Sequence, residues 1–87
     1  MKRKVVYPGT FDPITLGHQE IVRRACGIFD EVVLAVADSR AKKPFFTLEE
    51  RIDMARSVFG GNAQVTVMGF TGLLMAFVQE QKAKVAR

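Results

Sequence analysis

Residues 31–37 read EVVLAVA. After Glu31 every position through Ala37 is apolar. A strand with one wet face alternates apolar and polar residues; this run of strand length does not. It therefore predicts a strand covered on both faces, as in a parallel sheet. A parallel sheet needs crossover connections, so the flanking segments should be helices. On the N-terminal side, Leu16 to about Phe29 places Ile21, Val22, Ala25, Ile28 and Phe29 at helical spacing. Gln19, Glu20, Arg23 and Arg24 fill the other face. Before that helix, Lys4 leads into the short apolar run Val5–Tyr7, ended by Pro8-Gly9, which suits another buried strand.

The C-terminal side repeats the alternation. DSRAKKPFF, residues 38–46, reads as a loop with three cations and a proline. Thr47-Leu48-Glu49-Glu50 is a capping box, a Thr N-cap with Glu three residues later. Leu48, Ile52, Ala55, Val58 and Phe59 form the expected inward stripe, and Gly60-Gly61-Asn62 stops the helix. QVTVM, residues 64–68, is a third short strand that Gly69 should break. A third helix is expected from about Thr71 to Gln81, with Leu73, Leu74, Met75, Phe77 and Val78 on a broad apolar face. AKVAR, residues 83–87, can begin a fourth strand. The chain is thus read as α/β, a Rossmann-like open parallel sheet with helices on both faces. Right-handed crossovers predict the order 3-2-1-4, with a crevice at the carboxyl ends of strands 1 and 4.

Composition narrows the function classes. The 87 residues are 48% hydrophobic and 25% charged, a globular balance for one domain or part of one. Lys and Arg number 13 against 9 for Asp and Glu, a net charge of +4 that suits anionic ligands such as phosphates. The cations form no stripe interleaved with aromatics, so nucleic acid is not the expected partner. The single cysteine, Cys26, permits no internal disulfide, fits a reducing cytoplasm and is expected as a small buried core residue. The apolar run after the basic MKRK is too short for a signal peptide, and no segment is long enough to span a bilayer. Cytoplasmic localisation is the expectation.

The chemistry gathers in TFDPITLGHQE, residues 10–20, where strand 1 gives way to the first helix. Gly9 lets backbone come close to a ligand. Thr15 is a plausible N-cap, which puts His18, the only histidine, at the third helical position. A capping box would place Glu there. Histidine instead removes a negative charge from a helix end whose free N–H groups favour anions. An imidazole there can donate to a phosphate oxygen, and Gly17 leaves room for a nucleotide. A lone histidine in a first turn is more often a surface residue; the combination with Gly-Thr-Phe-Asp-Pro carries the signal. Neither GxGxxG nor GxxxxGK[ST] is present, which disfavours dinucleotide oxidoreductases and P-loop NTPases.

YPGTFDPITLGH resembles the signature of nucleotidyltransferases with a T-x-G-H or H-x-G-H motif. FDEVVLAVADS, AKKPFFTLEER and VMGFTGLL follow in order, and together they resemble bacterial phosphopantetheine adenylyltransferases from Lys4 to about Val85. The resemblance implies transfer of AMP from ATP to phosphopantetheine, giving dephospho-coenzyme A and pyrophosphate, without a covalent intermediate. It implies that His18 and Lys42 are catalytic. Thr10, Phe11, Gly17 and His18 would bind ATP. Thr10, Lys42 and Leu74 would bind phosphopantetheine, with Leu74 equally readable as a core leucine. Asp12 and Glu50 read as structural, a turn residue and a cap. Mg²⁺ would arrive with ATP, held by substrate phosphates and not by a protein cage.

The family's catalytic domain is longer. Its second half carries an Arg-Gly-Leu-Arg segment and an Ile-Ser-Ser-type loop, neither of which occurs here. Arg87 is not assigned the role of the family's arginine. Residues 1–87 are therefore expected to be a single unit, the N-terminal half of a nucleotidyltransferase domain, truncated after about three βα units. Strand 1 should then be an exposed apolar edge, which predicts a homo-oligomer or swapped dimer through strand 1 or residues 83–87. A non-catalytic nucleotide- or phosphate-binding half-domain, or an oligomeric fragment keeping the motif as a relic, remains the alternative.

Overall fold

The apolar run at residues 31–37 is the second strand, β2 (Glu31–Ala37), and it lies inside the sheet. The computed structural model describes residues 3–38, 44–71, 76–78 and 84–85. β1 (Lys4–Gly9) and β3 (Val65–Phe70) pair in parallel on either side of β2. Val6 faces Val33 and Val33 faces Thr66 across the ladders. A short β4 (Lys84–Val85) pairs in parallel with β1, giving the order β3-β2-β1-β4. This is the order expected from right-handed crossovers.

Val32 to Val36 are all buried, because both faces of β2 are covered. Side chains alternate across a strand. Val5, Val32, Leu34, Val36 and Val67 therefore share one face with Val22 of α1 (Leu16–Ile28) and Ala55 of α2 (Leu48–Phe59). Val6, Val33 and Ala35 share the other face with Phe77 and Val78 of the helical residues 76–78. Each such buried Val or Leu contributes about 1.5–3 kcal/mol relative to exposure. The remainder of the expected third helix, with Leu73, Leu74 and Met75, lies outside the described residues.

Both helices begin with the expected caps. Thr47 Oγ1 accepts the Glu50 N–H at 3.1 Å, and Glu50 Oε1 accepts the Thr47 N–H at 3.0 Å. Thr15 caps α1 in the same way, with His18 in the place of Glu.

Four expectations need correction. Strand 1 is not an open edge at Val5 and Val6, because β4 pairs there and takes up backbone groups an edge would leave free. Gly69 does not break β3; it pairs with Val36 inside the strand. A Cβ at Gly69 would stand 2.9 Å from Ile52 Cδ1, so the glycine admits α2 closely onto the sheet. Ile21, Ile28 and Val58 are exposed, since the inward stripes are narrower than the apolar spacing suggested. Cys26 is half-buried at the margin of the core.

Candidate functional site

β1 ends at Gly9, and residues 10–15 turn the chain into α1. Phe11 adopts a left-handed φ of 47°, rare for a residue with a side chain. The whole residue is only 2% exposed, and its ring joins the core beneath the loop. A Cβ at Gly9 would lie 3.0 Å from Phe11 Cζ. The space that Gly9 frees is thus filled by the Phe11 ring, which corrects the expectation that it serves a ligand directly.

His18 rests on this packed base. Its ring lies 4.8 Å from the Phe11 ring, edge to face, and 6.3 Å from that of Tyr7. Tyr7 and Phe11 themselves pack edge to face at 5.2 Å. The imidazole is held from the other direction by Thr15, whose backbone N–H donates to Nδ1 at 3.0 Å. A backbone N–H can only donate, so Nδ1 is the acceptor and the proton of the neutral ring sits on Nε2. Nε2 has no partner among the described residues. Burial holds the His18 pKa below its ordinary 6.5, which favours this neutral form.

The surroundings favour an anion. The first turn of α1 contains no acidic residue. Its free N–H groups carry the partial positive charge of a helix N-terminus. Glu20, a turn further on, is occupied by Arg23 and Arg24 at 2.5 and 3.2 Å. Gly17 and Thr10 are exposed, and a Cβ at Gly17 would meet only Thr15 Oγ1 at 3.6 Å.

Two side chains fasten the loop to the rest of the sheet. Asp12 accepts the N–H groups of Phe45 and Phe46 at 2.7 and 3.0 Å, joining the β1–α1 loop to the segment before α2. Asp12 is therefore more than a turn residue. Arg51 is 1% exposed, the largest fully buried side chain. Its Nη1 donates to the carbonyls of Thr10 and Ala37 at 2.8 and 2.9 Å, and its Nε to that of Phe46 at 3.1 Å. Burying a guanidinium is costly unless it is well hydrogen-bonded, and these three carbonyls offset that cost. Among the described residues it forms no ion pair.

Sequence reasoning did not single out Arg51. The available signal was its position: Arg51 falls on the α2 stripe between Leu48 and Ala55, where a cation is out of place. Of the expected site residues, Thr10, Phe11, Gly17 and His18 come together at the carboxyl end of β1 and the start of α1. Lys42 and Leu74 lie outside the described residues. A groove of about 560 Å³ runs between α1 and the end of α2, bordered by Leu16, Cys26, Val58 and Phe59, and Thr10 and His18 do not line it.

The chain matches the Cytidylyltransferase-like family over residues 6–86. It is 63% identical over 81 residues to a phosphopantetheine adenylyltransferase of Methylobacillus flagellatus, covering 93% of this chain and 51% of that protein. A Burkholderia mallei phosphopantetheine adenylyltransferase is 62% identical over 80 residues, covering 92% of this chain and 48% of that protein. The chain thus spans about half the length of the curated relatives it matches. Among solved structures, NadR protein in complex with NAD and AMP-PNP superposes with a TM-score of 0.71 at 27% identity, covering 82% of this chain and 21% of that one. A bifunctional NMN adenylyltransferase/ADP ribose pyrophosphatase from Francisella tularensis gives 0.69 at 24% identity, covering 94% and 25%, a likeness of fold.

Proposed function

The chain belongs to the cytidylyltransferase-like family, and from that premise we propose that it takes part in transferring AMP from ATP to the phosphate of phosphopantetheine. A phosphate oxygen of phosphopantetheine attacks the α-phosphorus of ATP in line. The bond to the bridging oxygen of the pyrophosphate breaks, and dephospho-coenzyme A and pyrophosphate result. Such a step needs positioning and neutralisation of charge more than covalent help from the protein.

The observation that carries this reading is the geometry of His18. Its Nδ1 is taken by the Thr15 N–H, so the neutral ring offers Nε2–H as a fixed donor. That donor would stabilise the non-bridging oxygens of the α-phosphate as charge builds there. The Phe11 backbone and Gly17 would line the ATP phosphates, and Thr10 would meet both substrates. Lys42 would bridge the acceptor phosphate and the reacting centre, a mobile ammonium being suited to a moving anion. Leu74 would border the pantetheine arm. ATP enters as its magnesium complex, the ion held on substrate phosphates.

No described helix is long and apolar enough to cross a membrane, and we place the activity in the cytoplasm with its water-borne substrates. Homo-oligomerisation belongs to the same proposal: among the described residues β3 pairs on one side only, and β4 leaves the Tyr7–Gly9 end of β1 uncovered. Size-exclusion chromatography tests that part, and a monomer at high concentration contradicts it.

The test of the reaction is pyrophosphate release from ATP and phosphopantetheine, with His18→Ala as control. The reading expects His18→Ala to abolish turnover while nucleotide binding, followed by calorimetry, largely persists. A second reading rests on one observation, that the chain covers 51% and 48% of two close relatives. On that reading it binds nucleotide without turning it over. ATP binding without pyrophosphate release selects it.

A further inference from the structure

Among the described residues Arg51 is a buried cation without a carboxylate, and the peptide groups it holds explain why it is there. Its three acceptors are the carbonyls of Thr10, Ala37 and Phe46. In a trans peptide the C=O and the following N–H point in opposite directions. Each carbonyl drawn toward Arg51 therefore turns the next residue's N–H away from it. Behind Ala37, the Asp38 N–H donates to the Phe70 carbonyl at 3.1 Å. Behind Phe46, the Thr47 N–H donates to Glu50 Oε1 at 3.0 Å. Behind Thr10, the Phe11 N–H has no acceptor among the described residues.

That donor sits at a residue whose backbone is itself unusual. Phe11 is held at φ 47° with its ring in the core, so the surrounding structure must impose the conformation. Arg51 supplies one restraint from below and the packed ring another. A cation on the carbonyl oxygen also polarises the peptide and strengthens its N–H as a donor. The same ring contacts His18 at 4.8 Å, so the Phe11 N–H and the imidazole belong to one rigid unit.

We propose that Arg51 is a positioning residue: by holding the Thr10 carbonyl, it turns the Phe11 N–H away from itself as a donor to a phosphate oxygen of the bound nucleotide. The proposal rests on the nucleotide-binding reading above and adds a residue to it that touches no substrate. It gives the buried charge a purpose beyond joining three segments, since its field and its hydrogen bond both act on the anion-facing peptide. Lysine in its place would keep the charge but lose the flat, multi-pronged donor that bridges carbonyls from three segments.

The experiment follows the backbone amides of the ¹⁵N-labelled chain by NMR during titration with ATP, pyrophosphate and adenosine, for wild type and Arg51→Lys. In the wild type the Phe11 amide should shift with ATP and pyrophosphate and stay in place with adenosine. A folded Arg51→Lys should bind ATP about tenfold more weakly, the size expected for a lost charge-assisted hydrogen bond, with adenosine affinity little changed. A role in stability alone would lower the melting temperature and leave that contrast between ATP and adenosine intact. Wild-type ATP binding that leaves the Phe11 amide unmoved overturns the proposal, even where the lysine variant does not fold. So does a folded Arg51→Lys with wild-type ATP affinity and the same Phe11 shift. A wild type that binds neither ATP nor pyrophosphate overturns the functional reading itself, and this proposal with it.

Discussion

Thr15 and His18 cap each other: the Thr15 N–H donates to His18 Nδ1 at 3.0 Å, and Thr15 Oγ1 accepts the His18 N–H at 3.3 Å. The start of α1 and the orientation of the imidazole are therefore one structural unit. A capping box normally uses Glu for the returning acceptor. Here His18 fills that position, so the ring stabilises the helix through Nδ1 while Nε2 has no partner among the described residues.

Thr15→Ala removes the side-chain half of this exchange. It should cost about 1 kcal/mol in urea unfolding, the usual value of an N-cap. Thr15→Ser, which retains the oxygen, should lie close to wild type. Equal stability of the alanine variant and wild type would show that the cap carries no weight.

The His18 ring should titrate below 6.5, because burial disfavours its charged form. In the window between the folded pKa and 6.5, the unfolded chain binds a proton that the folded chain does not. Stability should rise with pH through that window and be lowest below the folded pKa. His18 is the only histidine, so a proton NMR titration of its ring reads the midpoint without ambiguity. A midpoint above 6.5 contradicts the prediction. His18→Gln, which can still complete the capping box, should remove this part of the pH dependence.

Gly69→Ala should destabilise the chain by about 1 kcal/mol or more, because the new methyl would press on Ile52 Cδ1 from 2.9 Å. Ile52→Val deletes that atom and by itself should cost about 0.5–1.5 kcal/mol. The double variant should cost less than the sum, since each change relieves the other. Strict additivity in chemical denaturation would show that the two positions do not meet.

Asp12→Ala should free the Phe45 and Phe46 amides, which the carboxylate now holds at 2.7 and 3.0 Å. Hydrogen exchange at those two positions should accelerate about tenfold, and stability should fall by about 1–2 kcal/mol, as expected for charge-assisted bonds that are partly solvated. Asp12→Asn keeps one acceptor oxygen and should show an intermediate effect. Unchanged exchange at both amides would mean the link between the two loops does not form.

The sheet could be read from local pattern. EVVLAVA demanded cover on both faces, and it has that cover. Thr15 and Thr47 announced their helices because caps act within a single turn. The parallel order followed from the handedness of crossovers, a rule indifferent to most side chains. His18 could be placed at the third helical position, since that depends on counting from the cap.

Long-range contacts escaped such reading. Periodicity marks a buried face but does not say how broad it is, so Ile21, Ile28 and Val58 looked inward and are exposed. Gly69 looked like a break because its neighbour Ile52 is distant in the chain and near in space. Phe11 entered only as an ATP contact implied by the resemblance, and the place of its ring against Gly9 and the core is set by the tertiary structure. Arg51 meets the carbonyls of Thr10 and Ala37 across 41 and 14 residues of chain. Local order along a polypeptide is set by steric and hydrogen-bonding rules acting within a few residues. The partners of a buried charge are set by how the crossovers bring separate strand ends together, which no short stretch of residues encodes.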